Sequence, residues 1–114
     1  MNLNDYNKWT DTTAIYPDAG KKTFNETLYL VLGLSSEAGE VAGKLKKIVR
    51  GDKIGPETYV SELSDVLWYL SRAASAVGLS LEDLADYNYS KLESRKTTGT
   101  IQGKDGSRIT TNHT

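Results

Sequence analysis

The chain has no cysteine. Neither a disulfide framework nor a thiolate metal site can therefore form. There is a single histidine, His113, one residue from the C-terminus. Imidazole is thus removed from a buried catalytic site, and most zinc chemistry goes with it. Long apolar runs are also missing, and the mean hydropathy is -0.49, which excludes a membrane-spanning segment. No charged-then-apolar leader pattern opens the sequence, so the expected location is the cytoplasm. Neither charge sign is in excess: 14 Lys and Arg stand against 15 Asp and Glu, for a net charge of -1. A broad nucleic-acid surface would show a basic surplus. Proline occurs twice, at Pro17 and Pro56, and both positions read as helix boundaries.

What remains is 114 residues, enough for one small core and little more. Strand character is almost absent. A short first helix is expected from about Asn4 to Ala14, with Asn4 as its cap and Trp9 as its largest apolar residue. A long second helix opens on Thr23 and Glu26, a T-x-x-E capping box, and stops at Gly51. Within it Val31, Leu34, Ala38, Val41, Ala42, Leu45 and Ile48 recur at steps of three and four and define one apolar face. Gly39 and Gly43 cost this helix about 1 kcal/mol each relative to Ala, which implies a close backbone approach. A third helix runs from Pro56 to Val77, ends at Gly78, and carries Leu63, Leu67, Leu70, Ala74 and Val77. A fourth opens on Ser80 and Asp83, carries Leu81, Leu84, Ala85 and Leu92, and fades near Thr98. The expected architecture is all-α and four-helix-bundle-like, one short and three longer helices over residues 1–99. Residues 100–114 read as a polar tail, or as an arm that docks on a partner subunit.

Four carboxylates stand out against this frame. Glu37 and Glu40 fall in the second helix, Glu62 and Asp65 in the third. Each pair is three residues apart, so its members lie about 60° from one another around the helix axis. On the second helix they share a line with Gly33, Lys44 and Lys47; on the third, with Tyr69 and Arg72. Both lines border the apolar stripes. An antiparallel pairing of the two helices brings the acids together at the edge of the core. Two like charges 4–5 Å apart repel by roughly 3–4 kcal/mol at an effective dielectric of about 20, so converging carboxylates take up protons or a cation. All-oxygen ligation fits Mg²⁺, with Mn²⁺ as a substitute, and such ions complete their shells with water and phosphate. The bland alternative is that each pair is a solvated helix face.

The fourth helix adds Asn88, on the line set by Leu81 and Leu84, with Lys91 and Arg95 one and two turns further on. An inward amide followed by two cations suits phosphate oxygens. The alternative is a loop-capping Asn and two surface charges. Among the aromatic residues Tyr69 is the best candidate for contact with a nucleobase, because it lies one turn beyond Asp65. Trp9, Tyr16 and Trp68 fit a core equally well.

Taken together, the run Gly33-Leu34-Ser35-Ser36-Glu37-Ala38-Gly39-Glu40-Val41-Ala42, then Lys46-Lys47, and the run Glu62-Leu63-Ser64-Asp65-Val66-Leu67-Trp68-Tyr69-Leu70 resemble the two halves of the MazG-like nucleotide pyrophosphohydrolase motif. Asn88-Tyr89-Ser90-Lys91-Leu92, then Ser94-Arg95, resembles that family's closing helix. The likeness runs from Tyr6 to Arg95. Ser36 replaces the glycine found in many relatives. The resemblance implies cleavage of nucleoside triphosphates between the α and β phosphates, giving the monophosphate and pyrophosphate. It implies Mg²⁺ held by Glu37, Glu40, Glu62 and Asp65. It places Lys47 at the pocket, has Asn88, Lys91 and Arg95 bind or orient the nucleotide, and implies a homodimer or homotetramer. Two alternatives stay open on the sequence: a related all-α pyrophosphatase of narrower substrate, of the dUTPase, dCTPase or phosphoribosyl-ATP type, and a non-catalytic oligomeric module that binds nucleotides.

Overall fold

The computed structural model describes residues 1–100; the expected polar tail lies beyond Thr100, outside the described residues. Among these residues there are four α-helices and no strand: α1 (Leu3–Trp9), α2 (Phe24–Arg50), α3 (Glu57–Ala76) and α4 (Leu81–Thr98). The class is all-α, as expected. Contacts divide the chain into two units, Met1–Leu81 and the segment from Glu82 onward.

Local chemistry sets the helix ends. Asn2, not Asn4, caps α1; its side chain accepts from the Asp5 amide at 2.8 Å. One residue past Trp9 the helix tightens into a 3₁₀ turn, Thr10–Thr13. Here the hydroxyls of Thr10, Thr12 and Thr13 each donate to a carbonyl three residues back. Such local bonds compete with the α-helical ladder, so the first helix is shorter than its periodicity implied. Thr23 caps α2 and accepts from the Glu26 amide at 3.2 Å. The reciprocal half of the capping box does not form, because the Glu26 carboxylate is engaged elsewhere. Gly51 closes α2 with φ 104, a left-handed conformation that costs glycine little and other residues more. At the end of α3 the amide of Leu79 donates to Ala74 O at 2.9 Å, and at the end of α4 Thr100 donates to Arg95 O at 2.7 Å. These are the six-to-one bonds of Schellman stops.

Within the first unit, α2 and α3 pack along each other and run antiparallel. Gly33 lies against Tyr69, whereas the later Glu37 and Glu40 meet the earlier Glu62. The α1 helix and the 3₁₀ turn lie on α3. Asn7, which is buried, donates to Ser71 O (3.2 Å), Ser71 Oγ (2.6 Å) and Ser75 Oγ (3.3 Å). Trp68 Nε1 donates to Thr13 Oγ1 at 2.7 Å.

The core is small and lies at one end of the hairpin. Tyr16, Leu30 and Ala76 are its buried centre, with Ala14, Ala19, Trp68, Tyr69 and Ala73 packed around them. Beside it runs a buried polar network. Glu26, only 1% exposed, accepts from Tyr16 Oη (2.7 Å), the Gly20 amide (2.7 Å) and the Lys22 amide (2.8 Å). Asp18 and Lys22 adopt positive φ in this loop. Arg72, also buried, donates to Tyr16 Oη (3.2 Å), to Thr10 Oγ1 (3.3 Å) and to Asp11 Oδ1. Desolvation pushes the Glu26 carboxyl up, but its three donors and the nearby Arg72 outweigh this and hold it below the ordinary glutamate value.

Two sequence expectations change here. Much of the expected apolar face is exposed within one chain: Val31 and Leu45 on α2, Leu63 and Leu67 on α3, and Val77 at the C-cap of α3. Periodicity shows that a face is apolar, and not what covers it. Within one chain, and among the described residues, Gly39 and Gly43 do not serve a close approach, since a Cβ at either would meet open space. The glycine that does is Gly33, one turn before Glu37.

Candidate metal and phosphate site

The antiparallel register of α2 and α3 brings three of the four acids together. Glu37, Glu40 and Glu62 each offer a carboxylate oxygen, and these atoms lie within 4.8 Å of one another. Glu37 and Glu62 are half-buried; Glu40 is exposed. Asp65, exposed and one turn beyond Glu62 on α3, stands outside this group but near enough to act on it. Burial pushes the Glu37 carboxyl above the ordinary glutamate value; the charges of Glu40, Asp65 and Glu62 add to the effect, as does a hydrogen bond with Glu62. Four acids thus share one electrostatic site, with Glu37 at its centre.

Aromatic residues from three elements border the acids. Tyr69, one turn after Asp65, lies with its ring against Gly33. Its phenol is pushed up, first by burial and then by Tyr29, with Glu37 and Asp65 adding to the effect. Tyr6 of α1 is pushed up by burial and by the Asp65 charge, and its ring meets that of Trp9 at 5.9 Å. Tyr29 and Tyr6 are the neighbours that sequence reasoning did not single out. The signal for Tyr29 was present: it precedes Gly33 and Glu37 on one helical line, at 29, 33 and 37.

The remaining expected residues fall elsewhere. Lys47 is exposed in the last turn of α2, seven residues beyond Glu40 and so about 10 Å further along the axis. Its charge acts on Asp52, which pairs with Arg50. Asn88 is exposed on α4. Lys91 is exposed, with Nζ 5.8 Å from the centre of the Tyr87 ring. Arg95 is 5% exposed, and its Nη1 has no hydrogen-bond partner among the described residues. Arg72, placed by periodicity on the line of the acids, is drawn away from them into the network with Tyr16 and Asp11.

An all-α chain whose two longest helices converge three glutamates belongs to the class of helical proteins that carry a carboxylate centre between paired helices. The particular family follows from comparison. Residues 25–100 match the MazG nucleotide pyrophosphohydrolase domain, and the chain belongs to that family. It is also 41% identical over 115 residues to the Gene 37 protein of Mycobacterium phage L5, covering 95% of this chain and 100% of that protein. No solved structure matches. No helix among the described residues is long and apolar enough to cross a membrane.

Proposed function

We propose that this protein is a Mg²⁺-dependent nucleoside triphosphate pyrophosphohydrolase that converts (d)NTP to (d)NMP and pyrophosphate. The observation that carries this reading is the convergence of Glu37, Glu40 and Glu62 within 4.8 Å, on a chain of the pyrophosphohydrolase family. The donor set fits the ion. Its ligands are hard oxygens only; burial raises Glu37 and the charges of the neighbouring acids add to it, and a divalent cation relieves the repulsive part of that cost. Glu37, Glu40 and Glu62 would hold the metal, with Asp65 completing the acid set. When bound, the ion supplies Lewis-acid polarisation of the phosphoryl oxygens and a water of lowered pKa.

The chain's own residues do the rest. The carboxylates keep the site anionic until metal arrives, so a free triphosphate is repelled and a metal-bound one is accepted. Tyr69 stands at the rim with a neutral hydroxyl able to donate to a phosphate oxygen. In this reading Lys91 and Arg95 of α4 are the candidates to neutralise the leaving pyrophosphate, Asn88 is the candidate to orient the nucleotide, and Lys47 of α2 is the candidate to line the pocket. The buried Nη1 of Arg95 is a donor with no acceptor among the described residues.

The exposed apolar residues of α2 and α3 support a homo-oligomer, dimer or tetramer, in which a second copy covers that face. Residues 1–99 form the helical domain in this reading. The test is a panel of common NTPs and dNTPs with Mg²⁺, including dUTP, dCTP and phosphoribosyl-ATP, with both products identified. Release of pyrophosphate and a monophosphate is expected. The reading fails if no nucleotide is turned over and Mg²⁺ or Mn²⁺ does not bind.

A further inference from the structure

Tyr69 owes its position to what α2 lacks. A Cβ built on Gly33 would lie 2.6 Å from Cδ1 and Cζ of the Tyr69 ring, a separation real Cβ atoms do not show. The ring therefore rests on the bare backbone of α2. It is held from the other side by Trp68, whose ring meets it edge-on at 5.0 Å and 86°. Trp68 in turn meets Tyr16 at 6.0 Å and 88°, and Tyr16 stacks on Tyr29 at 5.4 Å and 10°. This run of rings is anchored in the buried network: Tyr16 by Glu26 and Arg72, Trp68 by Thr13. On α2 the seat lies one turn before Glu37, and on α3 the Tyr69 ring lies one turn after Asp65.

We propose that Gly33 is a positioning residue, which fixes the Tyr69 phenol at the rim of the acid cluster as a hydrogen-bond donor to an anionic ligand held there. Gly33 does this by absence of a side chain. The nature of the ligand rests on the pyrophosphohydrolase reading; the seat itself does not.

A double-mutant cycle tests this. The nucleotide that the wild type hydrolyses best serves as substrate. Gly33→Ala is expected to lower kcat/KM about tenfold, mainly through KM. In a Tyr69→Ala background, where the space above residue 33 is open, Gly33→Ala should change kcat/KM by less than twofold. Tyr69→Leu replaces Tyr69→Ala if the latter does not fold. Mn²⁺ affinity, measured by calorimetry, should stay within twofold in Gly33→Ala, because the acids are not moved. Unchanged kinetics in Gly33→Ala would overturn the proposal, as would an equal loss with and without the Tyr69 ring. Should the wild type hydrolyse no nucleotide, the functional reading falls and the seat is judged by the aromatic circular dichroism band. A band altered by Gly33→Ala supports the seat, and an unaltered band overturns it.

Discussion

Glu37→Gln should raise the stability of the metal-free protein and abolish its response to Mg²⁺. The carboxylate oxygens of Glu37, Glu40 and Glu62 lie within 4.8 Å. At that separation one pair of unit charges repels by about 3.5 kcal/mol at an effective dielectric of about 20. Glu40 is exposed, so solvent and salt screen most of this. A net relief of about 1 kcal/mol is expected, or a rise of about 4 °C in Tm for a domain of this size. With Mg²⁺ at a hundred times its Kd the wild type should gain about 2.7 kcal/mol, and the variant much less, so the order of stability reverses. The pH dependence has a definite sign. A carboxyl raised above its ordinary value binds its proton more tightly folded than unfolded. The cost of burial and repulsion is fully present above the raised folded value and vanishes below the ordinary one. The advantage of Glu37→Gln without metal should therefore shrink as pH falls through that window. Thermal melts with and without Mg²⁺ between pH 4 and 8 read all three effects. A variant less stable than the wild type without metal, or equally stabilised by Mg²⁺, would refute the shared acid site.

Glu26→Gln should destabilise the fold by about 3 kcal/mol in urea titrations, since three donors lose their carboxylate and Arg72 loses a neighbouring negative charge. Because the Glu26 carboxyl is held low, its contribution is fully present above the ordinary glutamate value and is lost as pH falls through the lower folded value; the gap between wild type and Glu26→Gln should close there. Asn7→Ala should cost about 2 kcal/mol by removing the side-chain bonds to Ser71 and Ser75, and hydrogen exchange should show α1 opening before the α2–α3 hairpin. Gly51→Ala should cost about 1–2 kcal/mol through its left-handed backbone at φ 104, seen as a lower urea midpoint.

The sequence made the helices legible where the signal was local. Thr23, Gly51, Pro56 and Gly78 are backbone chemistry that reads the same in any surroundings, and each ends a helix within a residue of its expected place. The spacing of Glu37, Glu40 and Glu62 was legible because a three-residue step on a helix has one meaning. What was not legible depended on partners distant in the chain. Glu26 fits a capping box by type, but Tyr16 and the Gly20 and Lys22 amides reach its carboxylate first. Arg72 fits the acid line by phase, yet Asp11 and Tyr16 claim it. Gly33 was on that line, but only the Tyr69 ring explains why it has no side chain. Val31, Leu45 and Leu63 share an apolar phase along their helices, yet they are exposed within one chain, because phase alone does not say what covers a face.

The Glu26 carboxylate has a consequence for how this protein can vary. It gathers a phenol from residue 16 and amides from residues 20 and 22, so the stretch from Tyr16 to Thr23 is measured out atom by atom. It looks like an ordinary surface connection, with a proline, a glycine and three lysines or aspartates. A single residue inserted there would carry at least one amide out of reach and leave a buried anion short of a donor. Length in this stretch should be as strictly kept as the identity of a core side chain.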